Sequence, residues 1–130
     1  MAAVLMDALA AYLRASGARP FAWGECDCCT WACDWVLQRR GVDPAAEWRG
    51  RYRTRRGAMR NVRPGFLLVV AGAMAKAGLK TTDDPTPGDV GVVMTPQGAS
   101  LAIKTPTGWA GKAEAGIVVA PFTALEAWSI

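Results

Sequence analysis

Apolar residues in the first part of the chain recur at helical spacing. Residues 2–16 place their apolar side chains on one face, and Gly17 follows as a typical C-terminal stop. A second helix is predicted from Asp27, a good N-cap residue, to about Arg40, and it ends at Gly41. The N-terminal third of the chain is therefore predicted to be mainly helical.

The next segment carries weaker helix signals. Asp43-Pro44 suits the N-cap and first position of a short helix that would run to about Arg49. The arginine-rich stretch after it either continues that helix or breaks at Gly50. Residues 66–77 form a mostly apolar run stopped by a glycine, which predicts a further helix that is largely buried.

From residue 80 the pattern changes to short β-rich runs. Residues 81–88 form a linker rich in threonine, aspartate and proline. The predicted strands are residues 90–94, 101–104 and 117–120. Residues 124–128 fit either a short helical turn or an edge strand. This order predicts an α+β fold, with N-terminal helices (about residues 1–79) packed on a small C-terminal antiparallel β-sheet (about residues 88–130).

Composition agrees with one compact domain over residues 1–130. The chain is 52% hydrophobic and 20% charged, which is typical of a globular protein and not of a disordered one. Its longest apolar run, residues 66–75, is shorter than the roughly 20 residues that cross a bilayer, so no membrane span is expected.

The candidate chemistry is concentrated in one short segment. All four cysteines lie there: Cys26, Cys28, Cys29 and Cys33. They are too close together to tie distant segments, so reduced thiols, as in a cytoplasm, are expected. Cys28 falls in the first turn of the second predicted helix, where free N–H groups and the helix dipole favour a thiolate. It is therefore the candidate nucleophile, yet the chain has no histidine to serve as its base.

A metal site is an alternative interpretation of these thiols. Four thiolates can hold zinc or an iron–sulfur cluster. However, such sites usually combine two well-separated cysteine pairs, and on a helix only Cys29 and Cys33 would share a face. The sequence therefore favours no cofactor, with the four-cysteine site as the alternative.

Nine arginines between residues 39 and 63 form a basic stretch in a chain of net charge +4. Such a stretch could bind phosphates of nucleic acid, anionic cell-wall polymers or an acidic partner surface, or it could be a solvated face. Partner binding is preferred and nucleic acid is not. Trp109 and Trp128 are expected to be exposed, and with Arg51 and Arg53 they are the candidate partner contacts. Trp31 and Trp35, four residues apart, are expected in the core.

The cysteine segment, Phe-Ala-Trp-Gly-Glu-Cys-Asp-Cys-Cys-Thr-Trp-Ala-Cys-Asp-Trp-Val, is followed downstream by Pro-Gly-Asp-Val-Gly-Val-Val at residues 87–93. This combination resembles the NlpC-type papain-like cysteine peptidases. The pattern Trp-Gly-x-x-Asp-Cys-Cys, the Arg-Gly-Arg-Tyr-Arg-Thr segment at residues 49–54, the Gly-Asp-Val strand and the terminal Ala-Trp resemble a branch found in bacteriophages and prophages. Genes of that branch tend to lie among those for the tail tip.

The resemblance implies a papain-like fold in which Cys28 matches the nucleophile and Asp27 the residue before it. The family histidine would fall within residues 97–103, which contain none. The expectation is a catalytically silent domain, made in the host bacterial cytoplasm, that serves as a structural or assembly component of the virion tail tip. Its expected contacts are other tail-tip proteins and host peptidoglycan. The alternative is a cell-wall peptidase or amidase in which Cys28 attacks a peptide carbonyl with the help of a base other than histidine.

Overall fold

A computed structural model describes residues 2–63 and 65–130 of the chain. Within them the fold is α+β, with four helices followed by a five-stranded antiparallel sheet. The helices are α1 (Ala2–Gly17), α2 (Cys28–Arg40), α3 (Arg55–Asn61) and α4 (Phe66–Lys76). The strands are β1 (Val90–Thr95), β2 (Gly98–Thr105), β3 (Gly108–Ala113), β4 (Gly116–Ala120) and β5 (Thr123–Trp128). Their order across the sheet is β4-β3-β2-β1-β5.

The first two helices lie where the sequence predicted them. Asp27 caps α2 in a capping box: its carboxylate accepts from the backbone of Thr30, whose hydroxyl accepts from the Asp27 N–H. Gly41 ends α2 in the left-handed conformation, with φ 73°. Local capping signals therefore define this helix at both ends.

The short helix predicted over residues 44–49 is wrong. The segment forms consecutive turns, because the Asp43 carboxylate binds the Ala45 N–H and the Arg49 guanidinium, and Gly50 donates its N–H to Gly24 at 3.0 Å. A new helix, α3, then begins after Thr54, whose hydroxyl caps Gly57 N–H.

The expectation that the apolar helix is largely buried is also wrong. In α4 only Val70 and Met74 are buried, and Leu68 is 65% exposed. The helix contacts β5 and the shared core with one face only: Phe66, Leu67 and Ala71 pack partly buried against that core, whereas Leu68 on the other face meets solvent. No helix within residues 2–63 and 65–130 has the length and apolarity to cross a bilayer.

Strands β2 and β3 pair over only part of their length. Their register runs from Ile103↔Ala110 to Thr105↔Gly108, whereas β3 pairs with β4 along its whole length from Trp109 onward. We call the region where they separate the β2–β3 fork: residues 98–102 of β2 and 111–113 of β3. The fork opens toward the N-terminus of α2, and it positions the candidate site.

The two edges of the sheet differ. The C-terminal end of the outer edge of β5 is covered by residues 80–82, through a bridge between Thr81 and Trp128 and a hydrogen bond from Thr82 N–H to Ala127 O of 2.9 Å. In the described part of the chain no segment pairs with the outer edge of β4, where Val118 and Val119 are about half exposed. One edge is thus partly covered and the other open.

The tryptophans expected at the surface lie in the interior, which corrects that prediction. Trp128 is 1% exposed because its position on β5, beside Val90, faces the core shared by helices and sheet. Trp109 is 5% exposed because it belongs to β3 and not to a loop. Its ring lies over Gly91, where a Cβ atom would come within 2.8 Å of the ring. Neither side chain is available to a partner.

Trp31 and Trp35 are fully buried, as predicted. Their indole N–H groups donate to Ser16 Oγ and to Gly88 O, each at 2.8 Å. These bonds tie α2 to the end of α1 and to the start of the sheet, because a buried indole N–H requires an acceptor.

Candidate functional site

A cleft of about 620 Å³ opens over the N-terminus of α2. Its floor includes Cys28, and its walls come from α3, the β2–β3 fork and the β3–β4 turn. We call it the aromatic compartment after its aromatic lining residues: Phe21, Trp23, Trp48, Tyr52, Phe66 and Phe122. A largely apolar cleft with a few polar groups is the usual form of a ligand site.

Asp27 is a buried anchor beneath this cleft. Its carboxylate accepts from Gly24 N–H at 2.8 Å, from Cys29 and Thr30 N–H at 3.0 Å, and from the Tyr52 hydroxyl at 2.6 Å. With both oxygens engaged by donors, the side chain holds the helix start in place and does not face a substrate. The candidate catalytic residue Asp27 is therefore a positioning group for its neighbour Cys28.

The turn that precedes α2 requires a glycine at position 24. It has φ 82°, and a Cβ atom there would lie 2.2 Å from the Tyr52 carbonyl oxygen. Glycine permits both the left-handed conformation and the close backbone approach. The arginine-rich segment thus packs directly on the cysteine segment.

Tyr52 is a site residue that the sequence analysis missed. It is 8% exposed, and burial together with its hydrogen bond to the Asp27 carboxylate raises the pKa of its hydroxyl, which stays protonated. The sequence signal that could have identified Tyr52 is its position as a lone aromatic residue between Arg51 and Arg53. Those two side chains are exposed, as the alternation predicts for neighbours of a buried residue.

Cys28 is half-buried at the first position of α2. Its Sγ lies 3.9 Å from Cys29 Sγ. The Cys29 thiol, the Ser100 hydroxyl and the Leu101 N–H lower the pKa of Cys28, against the opposing effect of burial. The pKa of Cys29 is raised well above its ordinary value by the same contact and by burial. In this pair Cys28 therefore ionises first.

The residue that faces the Cys28 thiol from the sheet is Ser100 of β2. It lies within residues 97–103, where the resemblance places the family histidine. A serine hydroxyl can donate a hydrogen bond to a thiolate but is too weak a base to take a proton from a thiol. Among the described residues, the hydrogen-bonding neighbours of Cys28 include neither a carboxylate nor an amine.

Lys112 is the other ionisable group at the fork, and its ammonium group binds backbone oxygens at and just after the end of α1. It is 4% exposed, and its Nζ donates to the carbonyl oxygens of Gly17 at 3.5 Å and Arg19 at 2.5 Å. A cation is favourable at this place because α1 ends there. Lys112 therefore closes the end of α1 against β3.

The four-cysteine metal alternative is not supported by the geometry. Within residues 2–63 and 65–130, no three histidine, cysteine, aspartate or glutamate side chains come together as a group that could hold a metal ion. Cys26, Cys29 and Cys33 are buried among apolar side chains, and burial raises the pKa of Cys33. Cys28 and Cys29 lie side by side, but within the described residues no further ligand joins them to complete a metal site.

The seven arginines from Arg49 to Arg63 fall into three groups. Arg49 is bound by Asp34 at 2.8 Å and by both oxygens of Asp43, and its pKa is raised by these contacts. Arg51 and Arg53, the candidate partner contacts, are exposed and do not line the cleft.

The third group lines a second compartment of about 830 Å³. This arginine compartment contains Arg55, Arg56, Arg60 and Arg63. It adjoins the aromatic compartment, with which it shares Arg55, Met59, Val62, Phe66 and residues 97–99. The two compartments therefore form one continuous cleft.

Fold and site together define an α+β protein with a thiol at the floor of a cleft that is aromatic on one side and basic on the other. Residues 4–130 match the model of a family described as a domain of unknown function, DUF6950, and the chain belongs to that family. Comparison with curated proteins gave no match, and neither did comparison with solved structures.

Proposed function

We propose that this protein is a structural or assembly component of a bacteriophage tail tip, built on an NlpC-type papain-like fold that does not cleave. In this proposal it resides in the virion and contacts other tail-tip proteins. One observation carries the catalytic half of the proposal: Cys28 lies at the start of a helix, as a nucleophile would, but the strand opposite presents Ser100.

We expect the protein to be catalytically inactive because Cys28 has no base to take its proton. Transfer of a proton to a positioned base typically contributes roughly 10² to 10⁴-fold to the rate. The chain has no histidine, and the hydroxyl of Tyr52 is held neutral against Asp27. A cysteine peptidase without a base would be slow at best.

The exposed arginines support the assembly half of the proposal. Arg51 and Arg53 project from the segment that Tyr52 fixes to the core, and neither forms an ion pair within the described residues. Guanidinium groups on a rigid support suit carboxylates on a partner surface. Trp109 and Trp128 no longer belong to this set because both are buried.

Particle assembly tests the proposal. Phage produced with Cys28→Ala should form in normal numbers, whereas Arg51→Glu with Arg53→Glu should reduce assembly. Arg39→Glu with Arg40→Glu on α2 is the matched control for the change in net charge. Normal assembly with the 51/53 pair, together with failure of Cys28→Ala, would contradict the proposal.

A cell-wall peptidase or amidase is the second candidate. The lowered pKa of Cys28 favours it, and the backbone N–H of Cys28, which the Asp27 cap does not use, could stabilise an oxyanion. Purified host peptidoglycan should be digested with the wild-type protein and with Cys28→Ala in parallel. New muropeptides that require Cys28 would establish this candidate; identical mass spectra are expected from the silent fold.

A further inference from the structure

The β2–β3 fork offers backbone groups that no neighbouring strand uses. Lys104 N–H donates to Asp89 O beside β1 at 2.8 Å, and donors alternate sides along a strand. The N–H groups of Ala99 and Leu101 therefore point toward β3, from which β2 has already separated. Leu101 is engaged within the fold, because its carbonyl oxygen accepts from Ser100 Oγ at 3.1 Å and its N–H contributes to the lowered pKa of Cys28, whereas Ala99 faces the open cleft.

The side chains around the fork are suited to bulky apolar groups. The aromatic compartment lies directly beneath it, and Gly98, Ala99, Gly111 and Ala113 of the two strands line that compartment without filling it. An extended chain laid along β2 would direct alternate side chains into this space.

Charge distinguishes the two ends of the cleft. None of the four guanidinium groups of the arginine compartment lies within 4.0 Å of a carboxylate in residues 2–63 and 65–130. Glu114 stands on the opposite wall, at the turn between β3 and β4. A ligand with carboxylates at one end fits this asymmetry, whereas a uniformly charged polyphosphate would meet Glu114.

We propose that the fork and the two compartments bind an extended acidic polypeptide segment of a partner protein. Its backbone pairs with the open edge of β2 around Ala99, its bulky apolar side chains enter the aromatic compartment, and its carboxylates meet the arginine compartment. This inference deepens the proposed function and rests on it in one respect, since it treats the cleft as a place where a peptide is held and not cut.

Fluorescence anisotropy of a labelled synthetic peptide tests the proposal. The peptide is about nine residues long, enough to span the fork; it carries aspartate or glutamate at one end and alternates phenylalanine or valine with serine along the rest. It should bind the full chain at physiological salt. A peptide with lysine in place of the acids, and one with alternate backbone amides methylated, should each bind roughly tenfold more weakly or worse. Equal binding of all three, or binding of none, would overturn the proposal.

Two variant pairs locate the site. Arg56→Glu with Arg60→Glu should weaken binding of the acidic peptide by roughly tenfold or more, because two carboxylate contacts become repulsive. Arg39→Glu with Arg40→Glu changes the charge equally, in the same basic stretch but on α2 outside the cleft, and should leave affinity nearly unchanged. Equal losses in both pairs would show nonspecific charge attraction and overturn the proposal.

Alkylation of Cys28 reports on the fork itself. The thiol lies at its base, so saturating peptide should slow the reaction of Cys28 with iodoacetamide, measured by mass spectrometry. An unchanged rate would place the peptide elsewhere and overturn the proposal. Muropeptides released by Cys28 with peptide binding intact would contradict the proposed function alone. Normal assembly of Cys28→Ala particles without peptide binding would contradict this inference alone.

Discussion

The helices α2 and α3 both begin with a side-chain cap, but the two caps lie in different surroundings. Each starts after a side chain that accepts backbone N–H groups: Asp27 for α2 and Thr54 for α3. Asp27 is 1% exposed and also binds Tyr52, whereas Thr54 is exposed and α3 contains no buried residue. The first cap fixes a thiol inside the fold, and the second holds a row of arginines at its surface. Similar capping signals thus produce one region that is buried in the fold and one that is exposed at the surface.

The largest expected difference between the two regions lies in their caps. Asp27→Ala should lower the free energy of unfolding by about 4 kcal/mol, because the buried N–H groups of Gly24, Cys29 and Thr30 lose their acceptor. Thr54→Ala should cost about 1 kcal/mol, the usual effect of an exposed cap. Urea unfolding measures both. Equal losses would show that the two caps are equivalent.

The arginines provide the next comparison. Arg49→Ala should lower the free energy of unfolding by about 2 kcal/mol, because removal of this partly buried guanidinium leaves Asp34 and Asp43 without their shared partner. Arg56→Ala on α3 should change stability by less than about 0.5 kcal/mol. The same unfolding assay decides. A large loss of stability in Arg56→Ala would mean that the Arg56 side chain stabilises the fold and is not only exposed to solvent.

Tyr52 joins the two regions and should show an intermediate effect. Tyr52→Phe removes one hydrogen bond from the buried Asp27 carboxylate and should cost about 1 kcal/mol. Its neighbours serve as controls: Arg51→Ala and Arg53→Ala should each stay within about 0.5 kcal/mol of the wild type. A silent Tyr52→Phe would show that the arginine segment is fixed by packing and not by this bond.

The smallest effect concerns proton affinity. Because the Cys29 thiol lowers the pKa of Cys28, Cys29→Ala should raise that pKa. The pH at which Cys28 becomes reactive to iodoacetamide should then move upward, and alkylation at neutral pH should slow. Cys26→Ala is the control, since Cys26 does not contact this thiol pair. A downward shift would contradict the assigned hydrogen bond.

Local signals predicted much of this fold. The bounds of α2 follow from Asp27 and Gly41, and the strand at residues 90–94 was found as β1. The strand β3 was missed, because its sequence of small residues with a lysine has the pattern of a loop. Lys112 is buried only because the end of α1 offers it two carbonyl oxygens, a partner far away in sequence.

The site was predicted in part for the same reason. A helix start with a cysteine can be recognised locally, so Cys28 was found. The partners that determine its chemistry come from β2 and from the segment around Tyr52, at distances in sequence that no short motif covers. Trp109 was misplaced because its burial depends on the space left by Gly91 on another strand.

The unequal edges of the sheet limit how copies of this chain could join. Residues 80–82 pair with the C-terminal end of β5, whereas within the described residues β4 has no strand partner along its outer rim. A fibril built by strand addition requires two open rims on every copy. Two copies could therefore join through β4, but continued growth would have to displace residues 80–82 from β5, so the exposed valines of β4 favour a pair over an endless polymer.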